Sequence, residues 1–211
     1  MPATDSRSRA FRRVCVFCGS SPGARPAYAA AAAALGRELI ARGIGLVYGG
    51  GRVGLMGEIA RTVHAGGGEV IGVIPRDLQA RGLGMTDLPD LRVVETMHER
   101  KALMADLADG FVALPGGVGT LEEFLEVLTW AQLGLHDKPC GLLDVAGHHA
   151  PLVRLLDHLV ERGFLGPAHR AMILLEERPD ALLERFAGYA PPAADKAEQA
   201  LRHGRIGDAA R

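Results

Sequence analysis

The sequence predicts an α/β fold, a doubly wound and mostly parallel sheet with helices on both faces, and three observations carry that prediction. Short apolar runs alternate along the chain with longer segments of helical period. Three of those runs end in polar glycine turns, at Gly19, Gly49 and Gly116. The chain has 211 residues, which suits one domain with a sizeable core. Parallel strands need crossover connections, and helices covering both faces supply them.

Taken in order, residues 1–12 read as a disordered arm and 14–18 as the first strand, with a polar turn at Gly19-Ser-Ser-Pro-Gly23. An alanine-rich helix follows over 28–42, and a second strand over 44–48. The run Gly49-Gly-Gly-Arg-Val-Gly54-Leu-Met-Gly57 leads into a helix to about Ala65, which Gly66-Gly-Gly68 closes before a strand at 69–74. Residues 75–90 have no clear period and read as a long loop. A short strand at 91–95 and a helix at 98–108 lead to a compact buried strand at 111–114, stopped by Pro115. Strands at 139–143 and 172–175 and helices at 149–162 and 179–186 complete a single domain over 13–190. Residues 191–211, rich in Ala, Pro and charge, read as a tail.

Composition narrows the function. The formal net charge of −1 gives no global basic field, so nucleic acid is not the expected partner. Arg outnumbers Lys 21 to 3, which weakens the meaning of any single Arg. No apolar stretch reaches 18 residues and the first 13 residues hold no apolar signal core, so the expectation is a soluble cytoplasmic protein without a membrane partner. Three cysteines make no complete disulfide set. Cys15 and Cys18 lie three apart in a strand, pointing to opposite faces, and are expected to be buried and structural. No His, Cys or Asp cluster suggests a metal site.

The stretch from Phe111 to Gln132 is the candidate centre: a buried strand, a glycine turn and an amphipathic helix starting at Thr120 or Leu121. The amides of Gly116, Gly117, Val118, Gly119 and Thr120, with the positive end of the helix, form a site for an anion such as a phosphate. The same residues fit a capping box with Thr120 at N-cap and Glu123 reaching back. A cap needs none of the three glycines, so they favour close approach of a ligand. Glu123 is then a carboxylate beside a bound phosphate ester.

Two further motifs bear on the ligand. Gly49-x-Gly51-x-x-Gly54 matches a dinucleotide fingerprint, but it follows the second strand, and the acid that should hold a ribose about 20 residues on is missing from its place. A mononucleotide fits better. Met97-His-Glu-Arg100-Lys101 puts two cations at a helix start, where the dipole disfavours them; an anionic partner explains them, as does a solvated helix end. In the helix over 120–133, Leu121, Phe124, Leu125, Leu128 and Ala131 share one face, with Glu122, Glu126, Thr129 and Gln132 opposite. Val127, Trp130 and Leu133 widen the apolar surface, which fits core packing and also a second subunit.

With Met97-His-Glu-Arg100-Lys101 and Pro115-Gly-Gly-Val-Gly-Thr120-Leu-Glu-Glu123 together, the chain resembles the lonely guy (LOG) family of cytokinin riboside 5'-monophosphate phosphoribohydrolases. The resemblance runs from about Val14 to about Leu175, including Phe17-Cys-Gly-Ser-Ser-Pro-Gly23 and the Tyr48-Gly-Gly-Gly run. It implies a Rossmann-like fold, a homodimer or higher homo-oligomer with active sites near the subunit interface, and hydrolysis of an N6-modified adenosine monophosphate without a cofactor. It implies Arg100 and Glu123 as the catalytic pair, and substrate contacts at Lys101, Gly117, Gly119, Thr120 and Thr129. Gly19, Ser20, Gly49, Gly50 and Met97 match further pocket lining. Gly82 stands where plant relatives tend to have a glutamate. A non-catalytic nucleotide or molybdenum-cofactor carrier of the same fold is the alternative. Relatives also carry the label lysine decarboxylase, which would need a lysine to hold pyridoxal phosphate; only Lys101, Lys138 and Lys196 exist, none in a suitable context.

Overall fold

The computed structural model describes residues 11–192. In chain order the elements are β1 (Arg13–Phe17), α1 (Pro26–Ala41), β2 (Gly45–Tyr48), α2 (Gly54–Ala65), β3 (Val70–Pro75), α3 (Arg76–Ala80), β4 (Asp90–Val94), α4 (Met97–Leu107), β5 (Gly110–Ala113), α5 (Val118–Gln132), β6 (Cys140–Leu143), α6 (Ala150–Glu161), α7 (Pro167–Arg170), β7 (Ile173–Glu176) and α8 (Pro179–Ala187). The seven strands form one sheet in the order β4-β3-β2-β1-β5-β6-β7. Every pairing is parallel.

The period-2 alternation of side chains builds two cores from the same strands. In β1, Val14 and Val16 face one layer with Leu35 and Leu39 of α1, Ile59 of α2 and Phe186 of α8. Cys15 and Phe17 face the other, with Met104 of α4, Phe124 and Leu128 of α5 and Leu156 of α6. Cys18, just past the strand, joins the first layer, so the two thiols lie on opposite faces as their spacing predicts. Both are free and buried. Helices therefore cover both faces of the sheet, the doubly wound Rossmann-like arrangement.

Strand order reverses between β1 and β5, which is where ligands bind in such sheets. The turn after β1 and the turn after β5 meet there: Gly19 N–H donates to the Pro115 carbonyl at 3.1 Å. The third glycine turn joins them, since Leu55 N–H at the start of α2 donates to the Gly19 carbonyl at 3.0 Å. Gly54, at φ 60°, sits so close to Ser20 that a Cβ would overlap its backbone. All three turns line one edge of the sheet.

Several expectations are corrected. The arm over 1–12 loses its last two residues to the fold: the Phe11 ring meets Phe186 edge-on at 5.8 Å, and the Arg12 amide donates to Asp109 at 2.9 Å. The rest of that arm and the tail from residue 193 lie outside the described residues. The expected loop over 75–90 contains α3, one short helix with acidic Asp77 in its first turn. Gly82 then takes φ 72° and donates to the Gln79 carbonyl, a left-handed helix end that suits glycine. Gln132, expected on the polar face of α5, is buried, because 124, 128 and 132 follow one another at the four-residue spacing of the core-facing row.

Candidate active site

Helix α5 starts at Val118, two residues before Thr120, with Gly117 at its N-cap. Thr120 is therefore inside the first turn, and Glu123 does not reach back to it. This overturns the capping-box reading there. The capping box lies instead at α4, where Thr96 accepts from the Glu99 amide at 3.1 Å and the Glu99 carboxylate accepts from the Glu95 amide at 2.9 Å. No side chain among the described residues caps α5, and no acid sits in its first turn. Its leading amides are thus open to an anion, as the free N–H groups of a helix start require.

The glycines of the turn divide by what they make room for. A Cβ on Gly116 would overlap the Thr120 side chain, so that glycine serves the buried packing of Thr120. Gly117 and Gly119 have nothing within 4 Å of where a Cβ would stand, and neither takes a positive φ. Packing does not demand glycine at either position; Gly117 suits its place at the N-cap, and both leave the face of the turn open to solvent. Val118 between them is 84 % exposed.

Behind the turn lies a buried ion pair. The Arg100 guanidinium donates through Nη1 to Glu123 Oε1 at 2.6 Å, and both side chains are about nine-tenths buried. Nε of Arg100 donates to the Val73 carbonyl within β3 at 3.2 Å, and Nη1 also lies 3.2 Å from Met97 Sδ. Gly49 packs directly against the guanidinium, and Gly50 takes φ 70° under Ile74 and Leu91. Burial raises the Glu123 carboxyl above the ordinary glutamate range, and Arg100 opposes the rise without cancelling it. The Cys15 and Cys18 thiols are pushed up by burial and further by the Glu123 charge, which marks the pair as a neighbour of the end of β1. Thiols so held are not nucleophiles at neutral pH.

The remaining expected residues fall in two places. Gly19, Ser20, Gly116 and Gly117 line a cavity of about 290 Å³ with Ser21, Tyr28, Leu55 and His148. Lys101 and Thr129 lie elsewhere, Lys101 buried on α4 and Thr129 exposed on α5. The Lys101 ammonium is held by Glu122 and, at 3.0 Å, by Glu126. Burial pulls the Lys101 ammonium down, but those two carboxylates outweigh it and the net shift is upward. Thr129 is exposed and donates to the Leu125 carbonyl at 2.7 Å. The Glu122 and Glu126 pairing was open to a reading of four-residue spacing. His148 joins the site from the connection after β6, a contact that no local sequence pattern marks.

Fold and site together define a Rossmann-like protein with an open glycine turn at a helix start set beside a buried Arg–Glu pair. The family model described as "Possible lysine decarboxylase" matches residues 56–186. Among curated relatives, "Probable cytokinin riboside 5'-monophosphate phosphoribohydrolase LOGL2" of Oryza sativa subsp. japonica is 54 % identical over 181 residues, 86 % of this chain and 74 % of that protein. Cytokinin riboside 5'-monophosphate phosphoribohydrolase LOG3 of Arabidopsis thaliana is 52 % identical, covering 86 % of this chain and 84 % of its own. The chain belongs to this LOG family of phosphoribohydrolases. The molybdenum cofactor carrier protein of Chlamydomonas reinhardtii shares the fold at a TM-score of 0.64 and 18 % identity, covering 85 % of this chain and 99 % of its own. The family label does not extend to the lysines: Lys101 is paired as above, and Lys138 Nζ donates to the Ala105 carbonyl at 2.8 Å. Lys196 lies outside the described residues.

Proposed function

We propose that this chain hydrolyses the N-glycosidic bond of cytokinin riboside 5'-monophosphate, an N6-modified adenosine 5'-monophosphate, releasing the free cytokinin base and ribose 5-phosphate. With plain AMP the products would be adenine and ribose 5-phosphate. The observation that carries the reading is the Glu123 carboxylate, buried against Arg100 one turn into a helix whose start is open at Gly117 and Gly119. The activity named for the relatives supports the substrate class.

The phosphate docks on the amides of residues 116–120, which fixes the sugar relative to Glu123. As the C1'–N bond breaks, its electron pair leaves with the base and positive charge develops on the ribose ring. The Glu123 carboxylate stabilises that charge and takes a proton from the water that adds to C1'; an equal proton reaches the departing base nitrogen from solvent, so the base leaves neutral, and Glu123 returns its proton to solvent. Burial keeps the carboxyl basic enough for this, and Arg100 holds it ionised and in place. Hydrolysis involves no net oxidation or reduction, so this scheme calls on no redox group. Lys101, Thr129 and Met97 belong in this reading to the far side of the substrate, along α4 and α5. Exposed Leu133 and Leu135 at the end of α5 support a homodimer or higher homo-oligomer as the working form. None of the described helices is long and apolar enough to cross a membrane, and the proposed setting is the cytoplasm.

The test is chromatography of the protein incubated with AMP and, separately, N6-isopentenyl-AMP. Base release from either that is lost in both Glu123→Gln and Arg100→Ala supports the reading, and the ratio of the two rates identifies the preferred nucleotide. Glu123→Gln should still bind nucleotide. Bound ligand with no base released from either nucleotide would favour a non-hydrolysing carrier, for which the support is the fold alone.

A further inference from the structure

The cavity beside the glycine turn contains a group that the reaction above does not use. His148 leaves the connection between β6 and α6, where Ala146 and Gly147 take φ values of 53° and 72° in succession. The ring returns to the end of β5, and its Nε2 lies 3.2 Å from the Gly116 amide nitrogen and 3.1 Å from the Gly116 carbonyl oxygen. One ring nitrogen serves only one of these at a time. Unprotonated, Nε2 accepts from the Gly116 N–H; protonated, it donates and gives that N–H up.

Tyr28 of α1 meets the ring edge-on at 5.7 Å, and His149 does so at 5.0 Å. Asp144 faces away, accepting from the His149 amide at 2.7 Å. Among the described residues lining the cavity there is no carboxylate, and His148 is the sole side chain that can carry positive charge.

We propose that His148 is a phosphate-binding residue whose protonation is coupled to binding of the substrate's phosphate. This rests on the placement of the phosphate given above. With a phosphomonoester in the cavity, His148 takes one proton from solvent at Nε2 and donates that N–H to a phosphate oxygen. The Gly116 amide, released from the ring, joins the other amides of the turn around the anion. No covalent bond changes.

The experiment is calorimetric titration of the protein with ribose 5-phosphate at pH 6 and pH 8, in two buffers of different ionisation enthalpy, for the wild type, His148→Gln and His148→Phe. Base release from AMP is measured in parallel. The second ionisation of the phosphate is common to all three proteins, so differences between them isolate the histidine. In the wild type, binding takes up more protons than in either variant. In the variants KM for AMP at pH 6 rises by about tenfold or more, as expected for loss of a charged hydrogen bond, and exceeds any fall in kcat. His148→Gln keeps a partner for Gly116, and thermal unfolding of both variants checks that the fold is intact. Equal proton uptake and equal pH dependence of KM in wild type and variants, with base release intact, would overturn the role of His148 alone. A wild type that releases no base and binds no ribose 5-phosphate would overturn the placement of the phosphate and this role together.

Discussion

Gly49 and Arg100 compete for the same volume: a Cβ on Gly49 would overlap Nη2 of the guanidinium that holds Glu123. Gly49 has no positive φ to explain it, so its role is to admit Arg100 to the end of β2. Gly49→Ala should therefore displace the guanidinium while adding only one methyl to a buried loop. We expect a fall in base release of about 10²-fold, the usual cost of losing a positioned catalytic group. Arg100→Ala, which leaves the Glu123 carboxylate buried without its partner, should also cost stability, about 3–5 kcal/mol. Kinetics beside denaturant unfolding of the two variants checks this. A Gly49→Ala enzyme with wild-type turnover would show that Arg100 does not need its observed position.

The two kinds of glycine in the turn give opposite expectations. Gly116→Ala meets Thr120 and should destabilise the fold, by about 1–3 kcal/mol for an overpacked site. Gly117→Ala meets nothing, so it should lose only the small N-cap advantage of glycine over alanine and melt within a few degrees of the wild type. If the space over Gly117 belongs to the substrate, the same variant should raise KM for the nucleotide severalfold or more. Thermal unfolding and initial rates on both variants separate the two effects, and a Gly117→Ala enzyme with unchanged KM would place the ligand elsewhere.

The pH dependence of turnover follows from Glu123. Its carboxyl is raised above the ordinary glutamate range by burial, and only the ionised form can stabilise positive charge on the sugar. The acid limb of kcat/KM should therefore lie above pH 4.5, the ordinary glutamate value, with activity lost as pH falls through it. Arg100 pulls that value down, so Arg100→Gln should move the acid limb to higher pH in whatever activity remains. A limb that stays in place would mean that Arg100 acts on the substrate instead of on Glu123.

Much of the architecture was legible because it rests on local pattern. The apolar runs and helical periods gave every strand to within about two residues, and the three glycine turns could be placed on one edge from strand polarity alone. What failed was local chemistry that tertiary contacts decide. Thr120-Leu-Glu-Glu123 and Thr96-Met-His-Glu99 both have the capping spacing, but only the second caps a helix, because Arg100 arrives from α4 to take Glu123. The pairing of Lys101 with Glu122 and Glu126 depends in the same way on how α4 packs beside α5. His148 approaches Gly116 across 32 residues, a contact no local pattern encodes.

His149, next to the cavity residue, gives the fold an acid-sensitive point. It is almost fully buried, and burial, with its neighbour His148, depresses its imidazole from 6.5 to about 4 while Asp144 pulls weakly the other way. Since the unfolded chain binds the proton more readily than the folded one, the stability contributed by neutral His149 is complete above about pH 6.5. It is lost as pH falls towards about 4. A shift of that size corresponds to about 3 kcal/mol. The depressed carboxylates Glu69 and Asp90 begin to lose their contributions only near their ordinary values of 4.5 and 3.8, so most of this window is free of them. Denaturant unfolding between pH 7 and pH 4 should show the wild type losing stability in this range, whereas His149→Phe, which cannot take up the proton, should hold most of it. Parallel loss in both proteins would assign the acid sensitivity to another group.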